Sequence, residues 1–425
     1  MNKMEEVKFI EKIKISYIKN LIENLEISNK CFAEEINLSE YYFHELINGK
    51  KKFSDAIFNR ICSTYSISFN DDPSILIETK QLLEHLIFDI ISDNDEDFED
   101  TYKSYLTKQP IIEQSIGFYM ISFFQLIRRI GDYECFKNEK LLNKCYSYYS
   151  LFDNKVAYSY LIMFLWCNQI PKDLKMMKFM FAKIEHDFSA VDLPDYYKGI
   201  LSFHKGRLTQ KSGNYVESIF SYETAANYLR INYLHSRVLQ CEIQLASLNI
   251  EIGRYKMAEK MYMNLLHECK SNNFKVRYTT CLNNLAYLSV LMRKYDEAIE
   301  YIKDASEALQ DNYHLIEYEI LAKYCLHTLT ISNKDLEELM KLSNLNQYSK
   351  KLIQLIYLLN YQGNDADIEK CFNYIYSYCI NNNEPIELKL ILPILIDYYQ
   401  ERNINLYIHF VNKYINLTSF DNRND

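Results

Sequence analysis

The chain has little glycine, little proline and a single tryptophan: eight, six and one in 425 residues. Glycine and proline punctuate hairpins and loose linkers, so their scarcity argues against a β-rich fold and against long flexible connections. Long apolar runs are missing too. Val156–Cys167 is among the longest, and it falls well short of the ~20 residues a membrane helix needs. Lys3, Glu5, Glu6 and Lys8 crowd the first residues, which is not the pattern of a secretory signal. The eleven cysteines contain no C-x-x-C pair. Scattered in this way they read as reduced thiols of a cytoplasmic protein, not as disulfides or zinc ligands. No phosphate loop, G-x-S-x-G, H-E-x-x-H or kinase signature occurs. The expectation is a protein that is not an enzyme and uses no cofactor or metal.

Charge is unevenly placed. The formal net charge is −9. Residues 1–66 balance ten Lys and Arg against ten Asp and Glu, whereas residues 67–110 hold eleven acids and three lysines. Most of the latter acids fall in Asp93–Asp100, a pattern that fits a solvated turn and a helix start, where carboxylates complement the dipole. With 38 tyrosines in the chain, a composition that A/T-rich coding produces, a single tyrosine carries little information.

What the chain does have is a repeat. Gly213-Asn214-Tyr215 returns as Gly253-Arg254-Tyr255 and again as Arg293-Lys294-Tyr295, with the tyrosines 40 residues apart. Ser218, Ala258 and Ala298 follow three residues after each tyrosine; Tyr222, Tyr262 and Ile302 follow four later. Leu245-Ala246 and Leu285-Ala286 precede the second and third turns, and Lys205-Gly206 stands there in the first. This resembles the tetratricopeptide (TPR) helix pair, whose standard repeat is ~34 residues, so a 40-residue period implies longer helices. A small residue at the crossing lets two helices approach, and the aromatic fills the neighbouring gap. One pair cannot bury its apolar face alone, so pairs stack. Weaker copies are expected around Gly131-Asp132-Tyr133, Pro171–Leu174 (with Met177 and Phe181 packing), 315–342, Gly363-Asn364 and Arg402-Asn403.

Residues 28–50 carry a second signature. Ala33 sits where two helices must crowd. Asn37 stands at a turn position that wants positive φ. Leu38, Phe43 and Leu46 are apolar pins, Ser39 is an N-cap, and Asn48-Gly49 ends the helix. Ser54 opens a further helix with Ile57, Phe58 and Ile61. The segment resembles the helix-turn-helix of the Cro/phage-repressor-like (XRE) family. That resemblance implies a second helix in the DNA major groove, with Glu40, Tyr41, Tyr42 and His44 toward bases and Lys50, Lys51 and Lys52 on phosphates.

The expected fold is therefore all-α: a helix-turn-helix domain over 1–68, then a right-handed TPR-like α-solenoid over 74–420. In the TPR register the inner helix of each pair presents its second, fifth, sixth and ninth positions to the concave wall. The polar candidates there are His204, Arg207, Gln240, Gln244, Asn283, Asn284 and Tyr287. Amide side chains both donate and accept, so they can hold a peptide backbone without reading its sequence.

Together these two parts resemble the RRNPP (Rap/Rgg/NprR/PlcR/PrgX) peptide-pheromone receptors. The resemblance implies a cytoplasmic homodimer that binds a short signalling peptide in the groove and double-stranded DNA through its amino-terminal domain. It also implies quorum-sensing control of genes such as those for sporulation or virulence. A second reading stays open: the groove or the helical amino terminus binds a protein partner, such as a response regulator.

Overall fold

A computed structural model describes residues 3–131, 139–167, 174–188, 191, 194–309, 315–342, 345–382 and 385–419. Among these residues the regular structure is helical, apart from an isolated bridge between Asn70 and Ser115. None of the described helices is long and apolar enough to cross a membrane. By contacts the chain divides into two compact units. One comprises Met1–His204 with Ile231–Arg237; the other comprises Lys205–Arg230 with Val238–Asp425.

The first unit opens with α1 (Lys3–Leu25), α2 (Asn29–Glu35), α3 (Glu40–Ile47) and α4 (Asp55–Thr64). Local chemistry fixes each boundary. Ser28, Ser39 and Ser54 are N-caps whose hydroxyls accept from the amides of Cys31, Tyr42 and Ile57. Asn37 adopts φ 54° between α2 and α3, and Gly49 adopts φ 69° after α3. Ala33, Phe43 and Leu46 are fully buried, with the Phe32 and Phe43 rings 5.3 Å apart. Asp72 then caps α5 (Pro73–Ser92), with Pro73 in the first turn where no amide partner is needed. Asn94 caps α6 (Asp95–Glu113), and Asp95, Glu96 and Asp97 occupy its first turn, as the acidic stretch predicts.

α7 (Ile121–Gly131), α8 (Glu139–Ser147), α9 (Asn154–Cys167) and α10 (Leu174–Phe188) complete the described helices before residue 190. The expected copy at Gly131-Asp132-Tyr133 and the turn near Pro171 lie mostly outside the described residues. Met177 and Phe181, the expected packing positions, are buried in α10. Arg237 was invisible to any local pattern. It is 5% exposed and donates to the carbonyls of Ile90 (2.5 Å) and Ile91 (2.9 Å) at the end of α5. It also pairs with Asp93 and lies over the Trp166 ring. A cation on the last carbonyls of a helix complements its dipole.

The repeat appears in the structure with its period intact. α11 (Asp195–Lys211) and α12 (Tyr215–Ile231), α13 (His235–Glu251) and α14 (Tyr255–Ser271), then α15 (Lys275–Leu291) and α16 (Tyr295–Leu309) begin at intervals of 40 residues. Most are 17 residues long, which is how a 40-residue unit exceeds the standard one. In the second unit Ser218, Ala258 and Ala298 are fully buried at the crossings, as are Tyr222 and Tyr262 beside them. The first copy has Gly206 where the others have alanine for a steric reason. A Cβ there would lie 2.8 Å from the Tyr222 ring. The turns need left-handed residues, supplied by Gly213, Gly253 and, in the third copy, Arg293 at φ 61°.

Three further pairs follow: α17 (Ile316–Cys325) with α18 (Asn333–Lys341), α19 (Gln347–Asn360) with α20 (Asp365–Asn382), and α21 (Pro385–Tyr399) with α22 (Ile404–Ser419). Their core runs through Leu352, Ile356, Phe372, Leu395, Tyr399 and Phe410. α18 buries no side chain, which suits a short pair whose apolar pattern has decayed.

Candidate ligand wall and candidate nucleic-acid surface

The inner helices α13 and α15 of the second unit present the polar candidates. Gln240 and Gln244 stand one turn apart on α13; Asn283, Asn284 and Tyr287 share one end of the corresponding stretch on α15. All five are half-buried. Gln244 and Asn284 occupy the same register in successive repeats, 40 residues apart. Neither side chain makes a hydrogen bond among the described residues. Asn283 is more unusual, because its Oδ1 is buried and has no partner there. A buried acceptor without a donor costs about 1–3 kcal/mol, so its presence in an otherwise well-packed helix calls for an explanation.

The remaining wall residues are engaged. Tyr287 hydrogen-bonds the Glu387 carboxylate of α21. Burial, and then the charge of Glu387, hold its phenol well above the ordinary tyrosine range. Arg207 is half-buried on α11, where desolvation pulls its guanidinium below the usual value. His204, placed on the inner wall by its register, belongs to the first unit and is 1% exposed. Its ring packs 5.7 Å from both Trp166 and Phe203. A ring enclosed in that way offers no edge to a ligand, so His204 packs the core of its unit and is not part of the wall.

Beyond α15 the inner helices carry further polar groups that pair with one another. Tyr318 on α17 donates to both oxygens of Glu387, at 3.0 and 3.2 Å, and Tyr348 on α19 donates to Oε2 at 2.8 Å. Ser349 donates to Glu317 at 2.8 Å, and that glutamate is 9% exposed. Nothing in the sequence marks these residues. The partners lie 32 to 69 positions apart outside the motif-bearing repeats, and tyrosine is too common here to stand out.

On the first unit, α3 carries the expected base-facing residues. Glu40, Tyr41 and His44 are exposed, with Tyr41 at 72%, and Tyr42 is half-buried. Asn48 closes the helix by donating to the His44 carbonyl at 2.9 Å. Two of the three lysines that follow have company. Lys50 pairs with Glu45 at 3.2 Å, and Lys51 lies 4.6 Å over the Tyr42 ring. Lys52 is exposed, with no partner among the described residues. A surface pair such as Lys50–Glu45 is worth little in stability, but the carboxylate offsets the positive field that Lys50 offers. Among the described residues no group of three His, Cys, Asp or Glu is placed to hold a metal ion.

No protein-family model matches the sequence, and no curated protein sequence does either. Solved structures do match in fold. The structure of a Rap protein complexed with competence and sporulation factor superposes with a TM-score of 0.61 at 13% identity, covering 83% of this chain and 99% of that one. NprR in complex with its cognate peptide NprX gives 0.56 at 15% identity, covering 80% and 99%. The apo form of the quorum sensor NprR from B. thuringiensis gives 0.56 at 16% with the same coverage. At these identities the likeness establishes a fold shared over four fifths of the chain: an all-α, TPR-like solenoid of helix pairs.

Proposed function

We propose that this chain is a cytoplasmic transcriptional regulator of the quorum-sensing type and a member of the RRNPP receptors. In this reading residues 1–68 form a helix-turn-helix domain for double-stranded DNA. Residues 74–420 bind a short linear peptide on the inner wall and hold a homodimer. The observation that carries the reading is the pair Gln244 and Asn284. They are two amides in register on successive inner helices, unpartnered among the described residues, in a fold shared with a receptor solved with its cognate peptide. Each backbone hydrogen bond they make is worth ~1 kcal/mol net. Asn283 gains a donor for its buried Oδ1, and Gln240 on α13 and Arg207 on α11 extend the wall.

The test is affinity selection with the full chain. A hexapeptide library is mixed with the protein, separated from unbound peptide by gel filtration, and read by mass spectrometry. Selective retention by the wild type, lost in Asn284→Ala, supports the reading. No retention of any peptide overturns it.

Dimerisation is assigned to α22. Ile404, Ile408 and Ile415 are 49–61% exposed, and Val411 lies half-buried between them, a spacing that lines one helix face. The opposite face already buries Phe410 against Phe372 and Tyr399. A second copy covers the isoleucine face and doubles the DNA contacts across two half-sites, which a domain of zero net charge needs. Light scattering of Ile408→Glu should report monomers where the wild type reports dimers.

One observation favours the second reading. Lys50 and Lys51 are drawn toward Glu45 and Tyr42, leaving an acidic and aromatic α3 surface that suits a protein such as a response regulator. Selection of randomised duplex DNA decides. Binding that weakens for all sequences in Lys50–Lys52→Ala supports the DNA reading; no duplex retained by the wild type favours the protein partner.

A further inference from the structure

The inner helices of the last four pairs meet at one carboxylate. Glu387 on α21 receives the hydroxyls of Tyr318 from α17 and Tyr348 from α19, and it bonds Tyr287 from α15. The rings are arranged around it. Tyr287 stands edge-on to Tyr318 at 5.3 Å, and Tyr348 lies 5.0 Å from Tyr378. One turn before Tyr287 on α15, and so on the same helix face, the Oδ1 of Asn283 is buried without a donor. Tyr318 and Tyr348 are 7% and 6% exposed, while Tyr287, Tyr378 and Glu387 remain half-buried, so the cluster keeps an accessible side.

Each part of this arrangement favours one kind of guest. A carboxylate in a low-dielectric wall is a strong negative pole. Aromatic faces present their negative quadrupole to a cation, and rings grouped around one carboxylate are the kind of cage that alkylammonium groups enter. An unsatisfied amide oxygen beside the cage needs an N–H donor. All three phenols bonded to Glu387 are held well above the ordinary range by burial and then by that charge, so they stay protonated as donors and add no charge of their own. An anionic guest would meet repulsion, and an apolar one would leave the Asn283 oxygen unpaired.

We infer that the Tyr287–Tyr318–Tyr348–Glu387 cluster, with Asn283 at its edge, is a cation-accepting subsite that selects an ammonium or guanidinium group on the bound peptide. This rests on the peptide reading above and sharpens it, because the amides of Gln244 and Asn284 hold backbone without choosing a sequence, while the cage chooses charge.

The experiment uses the full chain and positional-scanning hexapeptide pools. One position at a time is fixed as Lys, Gln or Glu, and the amino termini are either free or acetylated. Retained peptide is counted after gel filtration. At one position Lys-fixed pools should be retained about tenfold over Gln-fixed pools, as expected for a charge-assisted contact, and Glu-fixed pools should be excluded. If the advantage follows the free amino terminus instead, the same cage is taking the terminal ammonium. In Glu387→Gln the cationic advantage should vanish, Lys and Gln pools being retained alike. Should that variant melt far below the wild type, Asn283→Ala, which leaves the tyrosine–carboxylate bonds in place, should still cut the advantage two- to fivefold. Retention without any preference for a cation, or a preference untouched by these substitutions, overturns the subsite. A wild-type chain that retains no peptide overturns the peptide reading with it.

Discussion

The pairs α11–α16 and the pairs α17–α22 share an architecture but treat their polar groups in opposite ways. In the first set the sequence repeats every 40 residues, the crossings are filled by Ser218, Ala258 and Ala298, and the inner amides of Gln244 and Asn284 are left open. In the second set the motif has faded, and the inner helices tie their polar groups to one another through Glu387 and Glu317. Packing can therefore be maintained with or without a repeating motif, provided volumes fit. A wall of open amides is different, because those groups contribute nothing to folding and need another reason to be there.

That comparison can be broken by substitution. The largest effect should come from the crossings. Tyr262→Ala removes a fully buried ring and its bond to Ser247, and should cost about 3–5 kcal/mol in urea unfolding. Tyr348→Phe should come next, at about 1.5–3 kcal/mol, since it deprives a half-buried carboxylate of one donor. Arg293→Gly should raise stability by ~0.5–1 kcal/mol, because it relieves a left-handed residue that the first two copies supply as glycine. Smallest of all, Gln244→Ala should leave unfolding within ~0.5 kcal/mol of the wild type. A Gln244→Ala loss as large as that of Tyr348→Phe would mean that the open wall is structural after all.

The same contrast explains what was legible in the sequence. Boundaries governed by local chemistry could be read: the serine caps at 28, 39 and 54, the left-handed Asn37, and the small residues at the repeat crossings. Each depends on neighbours within a few positions or on a fixed period. Arg237 on the end of α5 and the tyrosines on Glu387 could not, because their partners lie 39 to 147 positions away and no spacing announces them. His204 shows the limit of register. Its position in the repeat points inward, but Trp166, from a helix with no readable motif, covers it.

The central claim is that the α13 and α15 wall is a ligand surface. Its most direct test is calorimetry of the full chain with the peptide most enriched in the library selection, comparing the wild type with the Gln244→Ala/Asn284→Ala double variant. Loss of two ~1 kcal/mol hydrogen bonds predicts an affinity about thirtyfold weaker in the double variant, with an unchanged melting temperature. Equal affinity in both proteins would place the peptide elsewhere and contradict the account.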